Sequence, residues 1–220
     1  MARNKYPEKT LEQILTVSAK LFTEKGFDKT SIQDIIDALG MSKGAIYHHF
    51  KSKEEILDAV MKQRSQSTTE MFDMLIQNTQ ANNAREKLVS ILEAVATDKD
   101  THSIDSVLSS QIKNPQFVVT GIKDCVIKDT PRIAQIMLQG REDGSIVTDY
   151  PTECAEIFLL LLNIWINPVL FERNRSDTLR RLQFLQQMMK QLGVDVVSDA
   201  LIEKATDLYA NMGGYSQDGQ

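Results

Sequence analysis

TSIQDIIDALGMSKGAIYHHFKSK, residues 30–53, is the stretch that decides the fold of the N-terminal part of the chain. Ser31 is a suitable N-cap for a short helix whose apolar residues recur at the three- and four-residue spacing of one buried face. Those apolar residues are Ile32, Ile35, Ile36 and Leu39. Gly40 can adopt the positive φ that ends a helix sharply, and Ser42 can cap a second helix. The second helix would bury Ala45, Ile46 and Phe50. Two helices joined by a turn of about three or four residues that contains glycine predict a helix-turn-helix.

The predicted second helix carries hydrogen-bonding side chains outside its core. These are Ser42, Lys43, Tyr47 and His48. The free N–H groups of a first helical turn suit phosphate oxygens, and Lys43 and Lys53 add positive charge near the two ends of the segment. Gly44 costs roughly 1 kcal/mol in a helix relative to Ala, and a close approach of the backbone to a DNA duplex would explain it. From spacing alone, a small three-helix packing unit with a solvated polar face stays open as an alternative.

The run Leu21–Leu57 resembles the N-terminal domain of the tetracycline-repressor (TetR) family of transcriptional regulators. The matching positions are Leu21-Phe22, Gly26-Phe27, Thr30-Ser31, Ile35-Ile36, Gly40, Ser42-Lys43-Gly44, Tyr47, His49-Phe50, Lys53 and Leu57. The resemblance implies an N-terminal three-helix helix-turn-helix DNA-binding domain followed by a C-terminal helical ligand-binding and dimerisation domain. It also implies a homodimeric repressor that a small-molecule inducer releases from DNA.

Composition is that of an ordinary globular protein, with 42% hydrophobic and 25% charged residues in 220. The net charge of −5 is unevenly distributed. Residues 1–53 hold nine Lys and Arg against six Asp and Glu, whereas residues 54–220 hold sixteen against twenty-four. A mildly basic N-terminal domain on an acidic remainder keeps the attraction for phosphate local, although a difference of this size also arises by chance.

The sequence favours a cytoplasmic protein without a metal or cofactor. The two cysteines, Cys125 and Cys154, have no metal-type spacing, and a reduced compartment explains them most simply. The first residues lack an apolar signal region, and the most apolar run, 155–166, is too short to span a membrane. A nucleophile pair of either cysteine with His102 is conceivable, but no glycine-rich phosphate loop or HExxH motif accompanies it, and we expect no enzyme activity.

The helical periodicity divides the chain into a DNA-binding domain at 1–52, a helical regulatory and dimerisation domain at 53–212, and a tail at 213–220. We expect a first helix from Pro7 to Gly26 with an apolar stripe of Leu11, Ile14, Leu15, Leu21 and Phe22. A fourth helix runs from 53 to about 78. Helices near 88–95, 104–112 and 117–140 follow, and Pro131 kinks or restarts the last of them. No alternating strand pattern of useful length appears, which predicts an all-α fold.

Three C-terminal helices are predicted at 152–173, 177–192 and 194–212, with Pro168 bending or ending the first. The resemblance implies that the helices near 152–173 and 177–192 pair with their twins across a twofold axis. Alternatively, both helices complete the core of a single subunit.

The aromatic residues of the C-terminal domain could line an apolar cavity that also contains a polar group. The candidates are Phe72, His102, Phe117, Phe158 and Trp165. Each of them is at least as well explained as an ordinary core residue.

These observations predict a pseudo-palindromic operator read by Ser42–His49 of each subunit. Lys43 and Tyr47 would hold phosphates, Thr30 and Lys53 would fix the orientation of the domain, and Ala45 and His48 would contact base edges. Two alternatives stay open: the same fold controlled by a partner protein, and a helical enzyme or carrier that does not bind DNA.

Overall fold

The computed structural model describes residues 7–98, 102, 115–211 and 214–215, and every regular element within that part of the chain is helical. The N-terminal helices are α1 (Pro7–Lys25), α2 (Ile32–Leu39), α3 (Lys43–His49) and α4 (Lys53–Asn78). The predicted all-α fold and the predicted bounds of these four helices are confirmed.

Two compact units divide the chain. We call the first the head (residues 1–70 and 101–110) and the second the body (71–100 and 111–220). The division falls within α4, after Glu70, whereas the predicted domain boundary lies at the start of that helix. The functional boundary between 52 and 53 therefore stays a prediction.

The core of the head is made by one face of each of the helices α1 to α4. Its fully buried side chains are Ile14, Phe22, Ile35, Ile46 and Ile56. Burying one such side chain stabilises a domain by about 1.5–3 kcal/mol. The predicted stripe of α1 needs one correction, because Leu11 is exposed and Ser18 occupies a buried position on that helix instead. Since Ile56, Leu57 and Val60 are buried too, the first turns of α4 belong to the core of the head.

The body contains seven further described α-helices and two π-helical turns. In chain order they are α5 (Ala84–Thr97), α6 (Pro115–Asp124), a π turn (Cys125–Asp129), α7 (Thr130–Asp143), α8 (Pro151–Leu160), a π turn (Leu161–Trp165), α9 (Pro168–Phe171), α10 (Arg175–Gln191) and α11 (Asp199–Asn211). The helix predicted near 104–112 lies outside the described residues.

Both prolines that were expected to interrupt helices follow a π turn. Pro131 has no N–H to donate, and the residue before it, Thr130, donates its backbone N–H and its hydroxyl to the carbonyl of Cys125. Ahead of Pro168, the backbone N–H of Ile166 donates to the carbonyl of Leu161 at 2.8 Å. Such π turns are rare and occur mostly as single turns within α-helices.

The C-terminal end of the chain differs from the prediction in two places. The last helix begins at Asp199 rather than at Val194, because residues 194–197 form a non-helical segment that buries three valines. The predicted tail begins at 213, yet Gly214 is buried and Tyr215 donates its hydroxyl to the carbonyl of Thr206 at 2.8 Å. These contacts attach at least this part of the C-terminal segment to α11.

No described helix of the chain combines the length and the apolar character that a membrane crossing requires.

Candidate nucleic-acid interface

Helix α2 is fixed at both ends by local hydrogen bonds. The Ser31 hydroxyl accepts from the backbone N–H of Asp34, and the Asp34 carboxylate accepts from the backbone N–H of Ser31 at 2.8 Å, which completes a capping box. Gly40 ends the helix with φ at +61°, in the left-handed region that favours glycine. The chain therefore leaves α2 in one defined direction, which sets the start of α3.

A hydrogen-bonded ion pair extends this network to α1. Lys25 donates to the Asp34 carboxylate at 2.8 Å. Lys25, together with the hydroxyl and the backbone N–H of Ser31, holds the pKa of the Asp34 carboxyl well below its usual range. Asp34 is therefore ionised at neutral pH and ties the C-terminal end of α1 to the N-terminal end of α2.

Helix α3 buries one residue, half-buries two and exposes the other four. Ser42 caps it by accepting from the backbone N–H of Ala45 at 3.3 Å, and Ile46 is fully buried in the core of the head. The four predicted donors Ser42, Lys43, Tyr47 and His48 are all exposed, as is Gly44. Local capping and one buried anchor thus produce the exposed polar row that the sequence predicted.

Within this row, Lys43 and Tyr47 lie side by side. They are one helical turn apart, and the Lys43 Nζ lies 5.7 Å from the centroid of the Tyr47 ring. A cation and a phenol in this arrangement can both donate to neighbouring phosphate oxygens. The adjacent imidazoles are placed differently: His48 is exposed, whereas His49 is half-buried with its ring 6.5 Å from that of Phe50.

Three predicted DNA-binding residues lie in less exposed positions. Ala45 is half-buried beside the exposed row. Thr30 is buried, and its hydroxyl donates to the carbonyl of Gly26 at 2.8 Å. Lys53 donates to the carbonyl of Phe27 at 2.6 Å. The Thr30 side chain therefore contacts the head itself, and its contribution to an interface is to hold the turn between α1 and α2.

Sequence reasoning missed one exposed cation, Lys51. It lies between α3 and α4, where its backbone N–H donates to the carboxylate of Glu55 at 2.7 Å. Lys51 lies within the run that resembles the TetR family and could have been considered as a DNA contact. Lys53 was predicted instead, because it fits the family pattern.

Comparisons with known proteins agree on one family. The sequence profile described as "Bacterial regulatory proteins, tetR family" matches residues 14–60, which include α2, α3 and the start of α4. The chain is similar to the HTH-type transcriptional regulator UidR of Escherichia coli strain K12, with 26% identity over 185 residues that cover 84% of this chain and 91% of that protein. It is also similar to the HTH-type transcriptional repressor KstR2 of Rhodococcus jostii, with 26% identity over 67% of this chain and 72% of that protein.

Solved structures show the same fold over most of the chain. A TetR-family transcriptional regulator from Pectobacterium atrosepticum superposes with a TM-score of 0.63 at 19% identity, covering 88% of this chain and 98% of that one. GusR from Salmonella enterica superposes with a TM-score of 0.59 at 21% identity, covering 87% of this chain and 99% of that one. The chain belongs to the TetR family. It is a DNA-binding transcriptional regulator, and the relatives that it matches are regulators rather than enzymes.

The predicted ligand residues of this TetR-family regulator do not form one cluster in the described part of the chain. Phe158 is fully buried in the core of the body, and Phe72 packs against that core from a half-buried position. Trp165 is half-buried with its ring 5.9 Å from that of Phe184. Phe117 lies in α6, and His102 is half-buried in a turn that belongs to the head.

Two clefts in the described part of the chain contain none of those five residues. A cleft of about 550 Å³ in the body is lined largely by polar side chains of α5 and its preceding loop, with Ser198. A cleft of about 420 Å³ in the head is lined by α1 and the end of α2 with Met41. The predicted set of ligand contacts in this TetR-family regulator therefore stays a prediction.

Proposed function

We propose that this chain represses transcription by binding a pseudo-palindromic operator as a homodimer, and that a small molecule bound by the body releases it. The observation that carries the proposal is the exposed row of donors on α3, held by caps at Ser31 and Ser42 and by the buried Ile46. The relative KstR2 is an HTH-type transcriptional repressor, which supports the repressor role. A chromosomal operator would place the protein in the cytoplasm.

Within the interface, we assign Ser42, Lys43 and Tyr47 to phosphates, and Ala45 and His48 to base edges. Gly44 supports this assignment, because a Cβ added there would meet no described atom within 4 Å apart from its chain neighbours and the backbone of its own helix. Packing inside the head therefore does not require a glycine, whereas a close approach of DNA would.

The effect of Lys43 can be measured without knowing the operator. Replacing Lys43 by Ala should weaken binding to any duplex and lower the slope of log affinity against log salt by about 1. Lys62 is an exposed lysine on α4, and Lys62→Ala is the matched control, which should leave the slope unchanged. An unchanged slope for Lys43→Ala would remove this residue from the phosphate contacts.

We propose that the dimer forms through α8 to α10 and their flanking residues, within 152–173 and 177–192. Large apolar side chains of this region are exposed by 42–54% in the single chain: Ile157, Phe171, Phe184 and Leu192. Exposed apolar groups of this size favour burial against another protein surface, and a twofold axis would bury two copies of each.

Light scattering at micromolar concentration tests the dimer. The expected mass is twice 24.9 kDa for the unchanged chain and close to 24.9 kDa for Phe184→Ser. Val147 is exposed by 78% but lies outside the proposed interface, so Val147→Ser should keep the dimer mass. A monomer mass for the unchanged chain at this concentration would end the proposal of a dimer.

Ligand response is supported by membership of the family, for which it is typical. Trp165 is the single tryptophan and lies in the body, so its fluorescence reports ligand binding there. A compound that releases bound DNA should change this fluorescence and raise the unfolding temperature of the body. Release by a purified partner protein, with no such compound, would favour the alternative mode of control.

A further inference from the structure

Lys53, the first residue of α4, contacts the turn between α1 and α2. Its ammonium donates to the carbonyl of Phe27 at 2.6 Å and approaches the carbonyl of Asp28 at 3.4 Å. The same nitrogen lies 4.3 Å from the centroid of the Phe27 ring. Phe27 is itself buried and packs edge-to-face against Phe22 at 5.2 Å. The ammonium thus lies against a buried and packed part of the head.

The position of Lys53 in its helix makes these contacts informative. A positive charge in the first turn of a helix opposes the helix dipole, which favours acidic residues such as the Glu54 and Glu55 that follow. The carbonyls of Phe27 and Asp28 lie just beyond the C-terminal end of α1, where the dipole favours a cation. Lys53 is therefore better explained as a cap for α1 than as a charge belonging to α4.

The turn that Lys53 contacts also holds α2. Thr30 donates its hydroxyl to the carbonyl of Gly26 at 2.8 Å, and Lys25 pairs with Asp34 of α2. Three successive carbonyls, those of residues 26 to 28, accept from side chains of this network. The turn consequently connects the start of α4 to α2, and α2 in turn sets the start of α3.

Lys51 differs from Lys53 in its exposure and in the partners of its ammonium group. It is exposed, and no described residue pairs with its ammonium or accepts a hydrogen bond from it. Its backbone is nevertheless held by the Glu55 carboxylate, so the base of the side chain has a defined position. It follows α3 at the end opposite to Lys43. An exposed, unpaired cation beside a DNA-reading helix is suited to phosphate.

We propose that Lys51 is a phosphate-binding residue of the interface and that Lys53 is a positioning residue, which keeps its carbonyl partners when DNA is bound. This inference rests on the proposed function. The family pattern includes Lys53 and not Lys51. The ammonium of Lys53, however, contacts carbonyls of its own chain, whereas that of Lys51 is available to phosphate.

Fluorescence anisotropy with a random-sequence duplex, over about 50 to 200 mM salt, separates the two roles. Lys51→Gln should lower the salt slope by about 1 while leaving the unfolding temperature unchanged. Lys53→Gln should weaken binding by a similar factor at every salt concentration, with an unchanged slope and a lower unfolding temperature. Lys53→Arg can still donate to both carbonyls and should restore binding and stability. Lys62→Gln, on the same helix as Lys53, is the control with no effect.

Lysine footprinting of the unchanged chain gives an independent result that needs no variant to fold. An amine-acetylating reagent should modify Lys51 quickly in the free protein and slowly in the presence of duplex. Lys53 should react slowly in both states, since its ammonium is held by carbonyls. Lys53 protected only by DNA, a lower slope for Lys53→Gln, or unchanged affinity of that variant would overturn the positioning role. An unchanged slope for Lys51→Gln would overturn the phosphate role. Absence of salt-dependent binding by the unchanged chain would instead contradict the proposed function itself.

Discussion

The head and the body are both built from helices, but the hydrogen bonds that fix the ends of those helices join residues at different distances along the chain. In the head, Ser31, Ser42 and Ser52 each accept a hydrogen bond from the residue three positions later, and Gly40 ends α2 by its own conformation. In the body, the first N–H of α5 at Ala84 donates to the carboxylate of Asp143 at 2.7 Å, 59 residues away. The helices of the head thus start from local caps, whereas the body adds bonds between distant segments to local caps such as Asn83, which accepts from the backbone N–H of Glu86.

A second contact of the body shows the same dependence. The backbone N–H of Val147 donates to the carbonyl of Gly193 at 2.9 Å, which joins the segment after α7 to the segment after α10. Gly193 has φ at +79°, and a Cβ there would lie 1.7 Å from the carbonyl oxygen of Val147. No side chain fits between these two backbone segments, so only glycine allows them to approach.

The largest expected effect therefore comes from Gly193→Ala. The clash with backbone and the strained φ should lower the free energy of unfolding by roughly 3–5 kcal/mol. Thermal unfolding monitored by Trp165 fluorescence measures this loss in the body. Gly121 is the matched control, because it is an exposed helical glycine of the body whose added Cβ would meet nothing within 4 Å. Gly121→Ala should raise stability by up to about 1 kcal/mol, and equal effects of the two changes would contradict the close approach.

The same difference explains how well the sequence predicted the fold. The helix bounds of the head followed from caps and spacing, and α4 was predicted from 53 to about 78 and found at Lys53–Asn78. The segment 194–197 was predicted as the start of the last helix, which in fact begins at Asp199. Its actual conformation is set by Gly193 and Val147, which approach across 46 positions of sequence, and no local pattern shows that.

The candidate site was predictable to the extent that exposure follows from helical periodicity. The polar row on α3 was expected and is exposed, because one buried residue, Ile46, fixes the rotation of the helix. The environments of Thr30 and Lys53 could not be predicted. Their partners are main-chain carbonyls of a turn, and an acceptor that every residue carries leaves no signal in the sequence.

An intermediate effect is expected from removing a local cap in the head. Ser31→Ala deletes the hydroxyl that accepts from Asp34 and should lower stability by about 1–2 kcal/mol. Because Trp165 reports only on the body, the loss should appear as an earlier transition in far-UV circular dichroism with little change in tryptophan fluorescence. Ser198→Ala is the matched change in the body, where the hydroxyl accepts from Leu201 and donates to Glu93, and it should shift the fluorescence transition. If both variants shift both signals by the same amount, the head and the body do not unfold separately and this prediction is wrong.

The smallest effect is expected on the pH dependence of stability, to which one carboxylate in each unit contributes. Hydrogen bonds from Lys25 and Ser31 lower the pKa of Asp34, and hydrogen bonds from Ser198 and Lys204 lower the pKa of Glu93. A carboxyl group whose pKa is lower in the folded than in the unfolded state adds stability above its unfolded pKa of about 4, and that stability is lost as pH falls through the folded value.

Asp34→Asn should therefore lower the circular-dichroism unfolding temperature at pH 7, and its difference from the unchanged chain should shrink steadily below about pH 4. Glu93→Gln should behave in the same way when unfolding is followed by tryptophan fluorescence. The partners of Asp34 lie within nine positions of it, whereas those of Glu93 lie 105 and 111 positions away. When the C-terminal end of the chain alone is unfolded, the pH dependence contributed by Glu93 should therefore be lost and that of Asp34 should remain. Loss of both together would show that the head is not stable without the body, although its caps are local.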